Sequence, residues 1–206
     1  PFRSPSYQAW SDSFFASVLV RKNPRLEGKP LLALGMGGGC VIAASYEAKT
    51  KGVKTGMTLK DALKLIPDAL RLNSDFQEAG LASEQIEEVI RRHSPVVEQM
   101  SIDEWYVDLA TVVGGTPLDR EGWATRVQSD IRKFTGLWVS IGVGPSKLLA
   151  KMAGEYRKPR GITILTAGTT ERLLVARWLV ARCGSNTDNQ RGGIEERVTS
   201  NEPTSN

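Results

Sequence analysis

Histidine and cysteine are scarce in this 206-residue chain, which has one His and two Cys. A single His93, beside Ser94 and Pro95, excludes chemistry that runs on paired histidines and reads as a helix-end residue. Cys40 and Cys183 lie far apart without CxxC spacing, which excludes a disulfide framework or cysteine-zinc site and fits a reducing, cytoplasmic compartment. No run of about eighteen apolar residues occurs, so no membrane span is expected. The chain begins at Pro1 rather than Met and shows no basic, apolar leader. No signal peptide is expected, and the N-terminus reads as cut. Excess charge is also small, at +4, which permits a polyanionic partner without requiring one.

What is present is an ordinary globular composition, 40% hydrophobic and 24% charged. "YQAW" reads as a strand, "SDSFFASVLVRK" as a helix, and "KPLLAL" and "CVIAAS" as strands. "YEAKTKG" and "TLKDALKLIP" read as short helices closed by Gly52 and Pro67, and "ALRLN" as a further strand. Leu81, Ile86, Val89 and Ile90 keep helical spacing through residues 75–92, as do Trp123, Val127, Ile131 and Phe134 in the next long helix. Between these helices, "PVVEQM" and "WYVDLA" read as strands joined by "SIDE"; "LWVSIGVG" is another strand. The order is the split βαβ pattern of a ferredoxin-like α+β fold, an antiparallel sheet with helices on one face, interrupted by an insertion over residues 13–72. After "GITIL", "ERLLVARWLVARC" reads as a helix, and residues 184–206 read as a disordered polar tail.

Two stretches hold candidate chemistry. Asp103 and Glu104 are adjacent carboxylates, and neighbours on a strand share one site only at a hairpin tip, where "SIDE" is placed. Taken alone, such a pair reads as a solvated acidic turn, and a third carboxylate on a neighbouring strand would strengthen a Mg²⁺ reading. "KLLAKMAGEYRKPR" concentrates Lys147, Lys151, Arg157, Lys158 and Arg160 against Glu155; alone, it reads as a solvated helix face.

Five stretches, "SDSFFASV", "NPRLEGKPLLAL", "VIAASYEAKTKGVKTGM", "SPVVEQMSIDEWYVDL" and "VSIGVGPSKLLAKMAGEYRKPRGITIL", together resemble the palm and fingers of Y-family translesion DNA polymerases of the DinB/UmuC type. The resemblance covers about residues 6–165. It implies a palm from residues 1–12 and 73–166, fingers from 13–72, and a remainder, 167–206, without a recognisable thumb or little finger. It also implies DNA-repair synthesis from dNTPs on a primer-template, with two Mg²⁺ ions held by Asp103 and Glu104. Lys151 matches the palm lysine that neutralises phosphate charge. Phe15, beside Phe14, matches the aromatic gate beneath the sugar, although unaided it reads as a core residue. Tyr46 and Lys49 match fingers residues that touch the triphosphate, with Lys where the family usually carries Arg. The basic segment then supplies DNA contacts through Lys147, Arg157, Lys158 and Arg160, and a sliding clamp or partner polymerase is a further partner.

One position departs from the family pattern, Asp-x-Asp-x-Phe-Phe/Tyr-Ala-Ser. Aligning "SFFAS" puts Trp10 where the first, metal-binding Asp stands, and Asp12 on the second. An indole is no Mg²⁺ ligand, and two residues along a strand span roughly 6.6 Å, so Asp12 replaces the lost ligand only if the main chain shifts. Leu19 stands where the family commonly has Glu. The expectation is a polymerase module with impaired metal binding; its alternative is a non-catalytic DNA- or partner-binding relative. A nucleotidyl cyclase shares the palm logic but leaves the 13–72 insertion without a place.

Overall fold

A computed structural model of the chain describes residues 6–166 and 168–170. The chain divides into two units, Pro1–Ile164 and Leu165–Asn206. The first holds everything that follows; the expected helix "ERLLVARWLVARC" and the tail lie outside the described residues.

Strand β1 (Ser6–Ser11) alternates so that Tyr7 and Ala9 enter an apolar core while Gln8 and Trp10 take the opposite face. A single left-handed residue, Ser13 with φ 49°, turns the chain into α1 (Phe14–Lys22). The insertion then builds β2 (Leu31–Leu34), β3 (Val41–Ala44), α2 (Tyr46–Thr50), α3 (Leu59–Leu65) and β4 (Leu70–Asn73). Its three strands form their own sheet in the order β3-β2-β4. Ser45 and Thr58 start the two short helices by accepting from the backbone N–H three residues on.

The main sheet is completed by α4 (Phe76–His93), β5 (Val97–Ser101), β6 (Glu104–Asp108), α5 (Arg120–Thr135), β7 (Val139–Gly144), α6 (Lys147–Tyr156) and β8 (Ile162–Ile164). Its order is β5-β6-β1-β7-β8. The expected split βαβ arrangement is present, with the insertion between β1 and α4. Two features extend it: β8 joins β7 in parallel, and the helices do not all share one face, since α4 and α5 lie on the core face. Helix α6 packs on the other face, because Gly142 and Gly144 leave the sheet flat enough for its backbone to approach.

The α4 and α5 stripes also differ from the expected ones at one position each. Leu81 and Phe134 are exposed; the buried face of α4 is Ala79, Ala82, Ile86, Val89 and Ile90. Phe134 instead carries the Arg92 guanidinium on its ring. His93 ends α4, within 2.9 Å of Asp130. Helix α1 serves both cores: Phe14 and Val18, one turn apart, enter the main core, while Ala16 and Leu19 face the small sheet.

Candidate functional site

Sheet register brings the polar residues together. Trp10 on β1 lies directly opposite Glu104 on β6 and Ser140 on β7, and directly paired residues share a face. That face is the one α6 covers, so the site lies between β1, the β5–β6 hairpin and α6. Asp103 occupies the hairpin tip, where its carbonyl accepts from the Ser11 N–H at 3.0 Å. Asp103 and Glu104 thus both adjoin Trp10, Glu104 across the strand pair and Asp103 through the indole N–H.

Each carboxylate already has protein partners. Glu104, buried, accepts from Gln8 Nε2 at 2.6 Å and from the Tyr106 hydroxyl at 3.0 Å. Lys151 Nζ donates to both its oxygens at 3.0 Å. Burial and this carboxylate together push the Tyr106 phenol well above its ordinary range. Asp103 Oδ1 accepts from Ser101 at 2.7 Å, and Oδ2 from the Trp10 indole N–H at 3.3 Å. Asp12, 3% exposed, accepts from Ser140 Oγ on both oxygens, from the Arg160 backbone N–H at 2.8 Å and from the Tyr46 hydroxyl at 3.3 Å. Burial raises the Asp12 pKa despite opposition from Arg160, Ser140, Lys158 and Tyr46.

The lysines surround the indole. Lys158 Nζ lies 3.5 Å from the Trp10 ring centroid and Lys151 Nζ 4.7 Å, both within cation–π range. Lys49 on α2 donates to Ser13 Oγ at 2.8 Å and sits 4.8 Å over the Tyr46 ring. Burial lowers the pKa of Lys49 and of Lys158; Asp12 opposes the effect in both, and the Lys49 charge adds to it at Lys158.

A two-metal site needs carboxylate oxygens converging on shared points about 2.1 Å away. These residues do not fit it. Trp10 projects its ring among Asp103, Lys151 and Lys158. The Asp12 carboxylate, the possible replacement ligand, is turned to Ser140 and the Arg160 N–H. Among the described residues no group of three or more His, Cys, Asp or Glu is arranged to hold a metal ion.

Other expected site residues fall in different places. Phe15 is half-buried where the two cores meet, edge-on to Phe14 and Phe76. Phe14 is 2% exposed inside the main core, so its ring does not face the site; helical geometry sends neighbours 14 and 15 to different sides. Lys158, expected on DNA, is inside the site over Trp10. Lys147 pairs with Glu98 and lies over the Tyr106 ring. Arg157 is exposed, and Arg160 places its guanidinium over Trp138. Sequence reasoning missed Gln8, Ser140 and Tyr106. Only the alternation of Gln8 with Trp10 gave a signal; Ser140 and Tyr106 depend on strand pairing.

Comparison with known proteins places this arrangement. Residues 9–155 match the model of the impB/mucB/samB family. The chain is 38% identical over 165 residues to DNA polymerase IV of Xanthomonas campestris pv. campestris (strain 8004), covering 80% of this chain and 46% of the relative. It is 40% identical over 167 residues to DNA polymerase IV of Streptomyces coelicolor, covering 79% and 34%. The chain thus spans about half the length, or less, of the curated relatives it matches. Among solved structures, a Dbh ternary complex with partially disordered substrates superposes with TM-score 0.76 at 30% identity, covering 82% of this chain and 50% of that one. A Y-family DNA polymerase chimera built on Dbh gives TM-score 0.77 at 29% identity, covering 82% and 51%.

Proposed function

The chain belongs to the impB/mucB/samB family and is a palm and fingers portion of the Y-family type, and from that premise we propose that it is a translesion-polymerase module whose site binds nucleotide and DNA phosphates but is impaired in two-metal nucleotidyl transfer. The palm is residues 1–12 and 73–166 and the fingers 13–72, the division supported by the separate small sheet between α1 and β4. The substrates are a dNTP and a primer-template in the cytoplasm. Tyr46 and Lys49 reach the nucleotide from the fingers, Lys151 and Lys158 from the palm, and Phe15 lies beneath the sugar. Lys147, Arg157 and Arg160 extend the basic surface toward the DNA backbone.

The observation that carries this reading is the Trp10 indole N–H on Asp103 Oδ2, with Lys158 on the ring. An N–H donor stands where a third carboxylate would complete the metal sphere, and Asp12 does not replace it. The activating cation supplies charge stabilisation at the attacking and leaving oxygens, and with it misheld the transfer is lost. The lysines and hydroxyls still bind and orient phosphate.

Primer extension by this chain with dNTPs and Mg²⁺ tests the proposal. The expected result is no extension above background, with retained gel-shift binding of the primer-template at low salt. Robust extension that Asp12→Ala abolishes would overturn it, because Asp12 would then be a working ligand.

A further inference from the structure

Charged side chains crowd the site. Asp12, Asp103 and Glu104, with Glu155 also acting on Lys158, face three ammonium groups, Lys49, Lys151 and Lys158. Only Lys151 is neutralised directly, by Glu104. Among the described residues, neither Lys49 nor Lys158 has a carboxylate oxygen within 4.0 Å. Their hydrogen-bond and ring contacts are a hydroxyl, Ser13 Oγ, and two aromatic faces, Tyr46 and Trp10. Those contacts hold an ammonium in place without cancelling its charge. The carboxylates, by contrast, have their oxygens engaged by Ser140, Arg160 N–H, Gln8, Tyr106, Ser101 and Trp10. Among the described residues the carboxylate oxygens are thus already met by donors, while the donor capacity left open lies with the Lys49 and Lys158 ammonium groups, and its natural complement is an anion with several oxygens.

We propose that this chain binds the polyphosphate of a nucleoside triphosphate without a divalent cation, Lys158 on the Trp10 ring and Lys49 on the Tyr46 ring taking the electrostatic place that Mg²⁺ holds when a carboxylate cluster faces the same phosphates. This rests on the nucleotide-binding part of the function proposed above. In a carboxylate-rich site a metal-free polyphosphate meets like charge and is repelled; the cation is what joins them. Here an indole stands in place of one of those negative charges and anchors a positive one, so the repulsion that makes the cation necessary is reduced. Half-buried ammonium groups also act through a lower dielectric than exposed ones, which strengthens their pull on phosphate.

The test is calorimetric titration of dATP into the chain in EDTA and in Mg²⁺, with inorganic triphosphate and deoxyadenosine as further probes. The expected result is a dissociation constant that differs by less than about threefold between the two buffers. Inorganic triphosphate should compete in EDTA, and deoxyadenosine should not. Lys158→Met, which keeps the stem over Trp10 and removes the charge, should weaken dATP about tenfold or more in both buffers, the scale of one charged hydrogen bond. Trp10→Asp should restore cation dependence, binding at least about tenfold better with Mg²⁺ than without. If the parent chain needs Mg²⁺ by that same factor, the inference fails while nucleotide binding stands. If dATP binds in neither buffer, the nucleotide-binding reading fails and takes the inference with it. Comparable melting temperatures for parent and variants establish that each is folded.

Discussion

Replacing Gly142 by Ala should unseat α6 and open the site from behind. A methyl carbon at position 142 would lie 2.0 Å from the Ala150 carbonyl oxygen and 2.2 Å from the Gly154 nitrogen. Ordinary contact begins near 3.4 Å, so helix and sheet must separate by about 1.4 Å. Both obstacles are backbone, so no rotamer change relieves them. Overpacking costs typically ~1–3 kcal/mol, and a clash between a central strand and a helix backbone belongs at or above the upper end. About 3 kcal/mol corresponds to a fall in melting temperature of roughly 6–12 °C for a domain of this size. The same shift withdraws Lys151 from Glu104, now 3.0 Å away, so dATP binding should weaken together with stability. Near-UV circular dichroism during heating, followed by calorimetric titration below the transition, reads both effects. Gly80→Ala is the control: Gly80 lies within α4 with nothing within 4 Å of the added carbon, and the change should stabilise by about 0.5–1 kcal/mol. A Gly142→Ala chain that melts within about 2 °C of the parent and binds dATP equally would refute the packing argument, since the separation above forbids both.

Trp10→Asp removes two cation–π contacts, each worth about 0.5–1 kcal/mol at partly exposed lysines, while giving Lys158 a carboxylate partner. Stability should fall by no more than about 2 kcal/mol, and Mn²⁺ affinity, followed by electron paramagnetic resonance, should rise at least about tenfold; equal Mn²⁺ binding by the parent would contradict the assignment of Trp10. Because burial holds the Asp12 pKa above its unfolded value, the folded state retains that proton more tightly. Asp12 therefore makes the protein lose stability as pH rises from the ordinary carboxylate range through its raised value, and Asp12→Asn should remove that slope from urea-unfolding curves. Leu19→Glu, the residue the resemblance favours, should cost about 2 kcal/mol or more, because Leu19 is 8% exposed against the small sheet; an unchanged urea midpoint would show that the helix face turns outward. Primer-template binding, measured by fluorescence anisotropy, should weaken with salt along a log-log slope of about −0.9 per phosphate contact, and a slope near zero would exclude the basic surface.

Periodicity, together with the breakers Gly52 and Pro67, separated strands from helices along this chain, because a period of two or of 3.6 in apolar residues is a local property. Motif order made the family legible, and the mismatch at Trp10 needed only the alignment of "SFFAS". The adjacency of Asp103 and Glu104 at a tight turn was legible too, since only a hairpin tip lets sequential carboxylates share a site. What sequence could not decide was which groups fill those carboxylates. Ser140 stands 128 residues from Asp12 and meets it only because β7 pairs with β1. Lys158 looked like one cation in a basic run, yet the turn after α6 lays it on the Trp10 ring. Phe14 and Phe15 are indistinguishable by type, and the rotation of α1 between two cores sends one inward and leaves the other at their junction. Register and helix rotation are set by long-range packing, so the departure at Trp10 was visible in the sequence while its consequence, an indole and two lysines among the carboxylates, was decided by the fold.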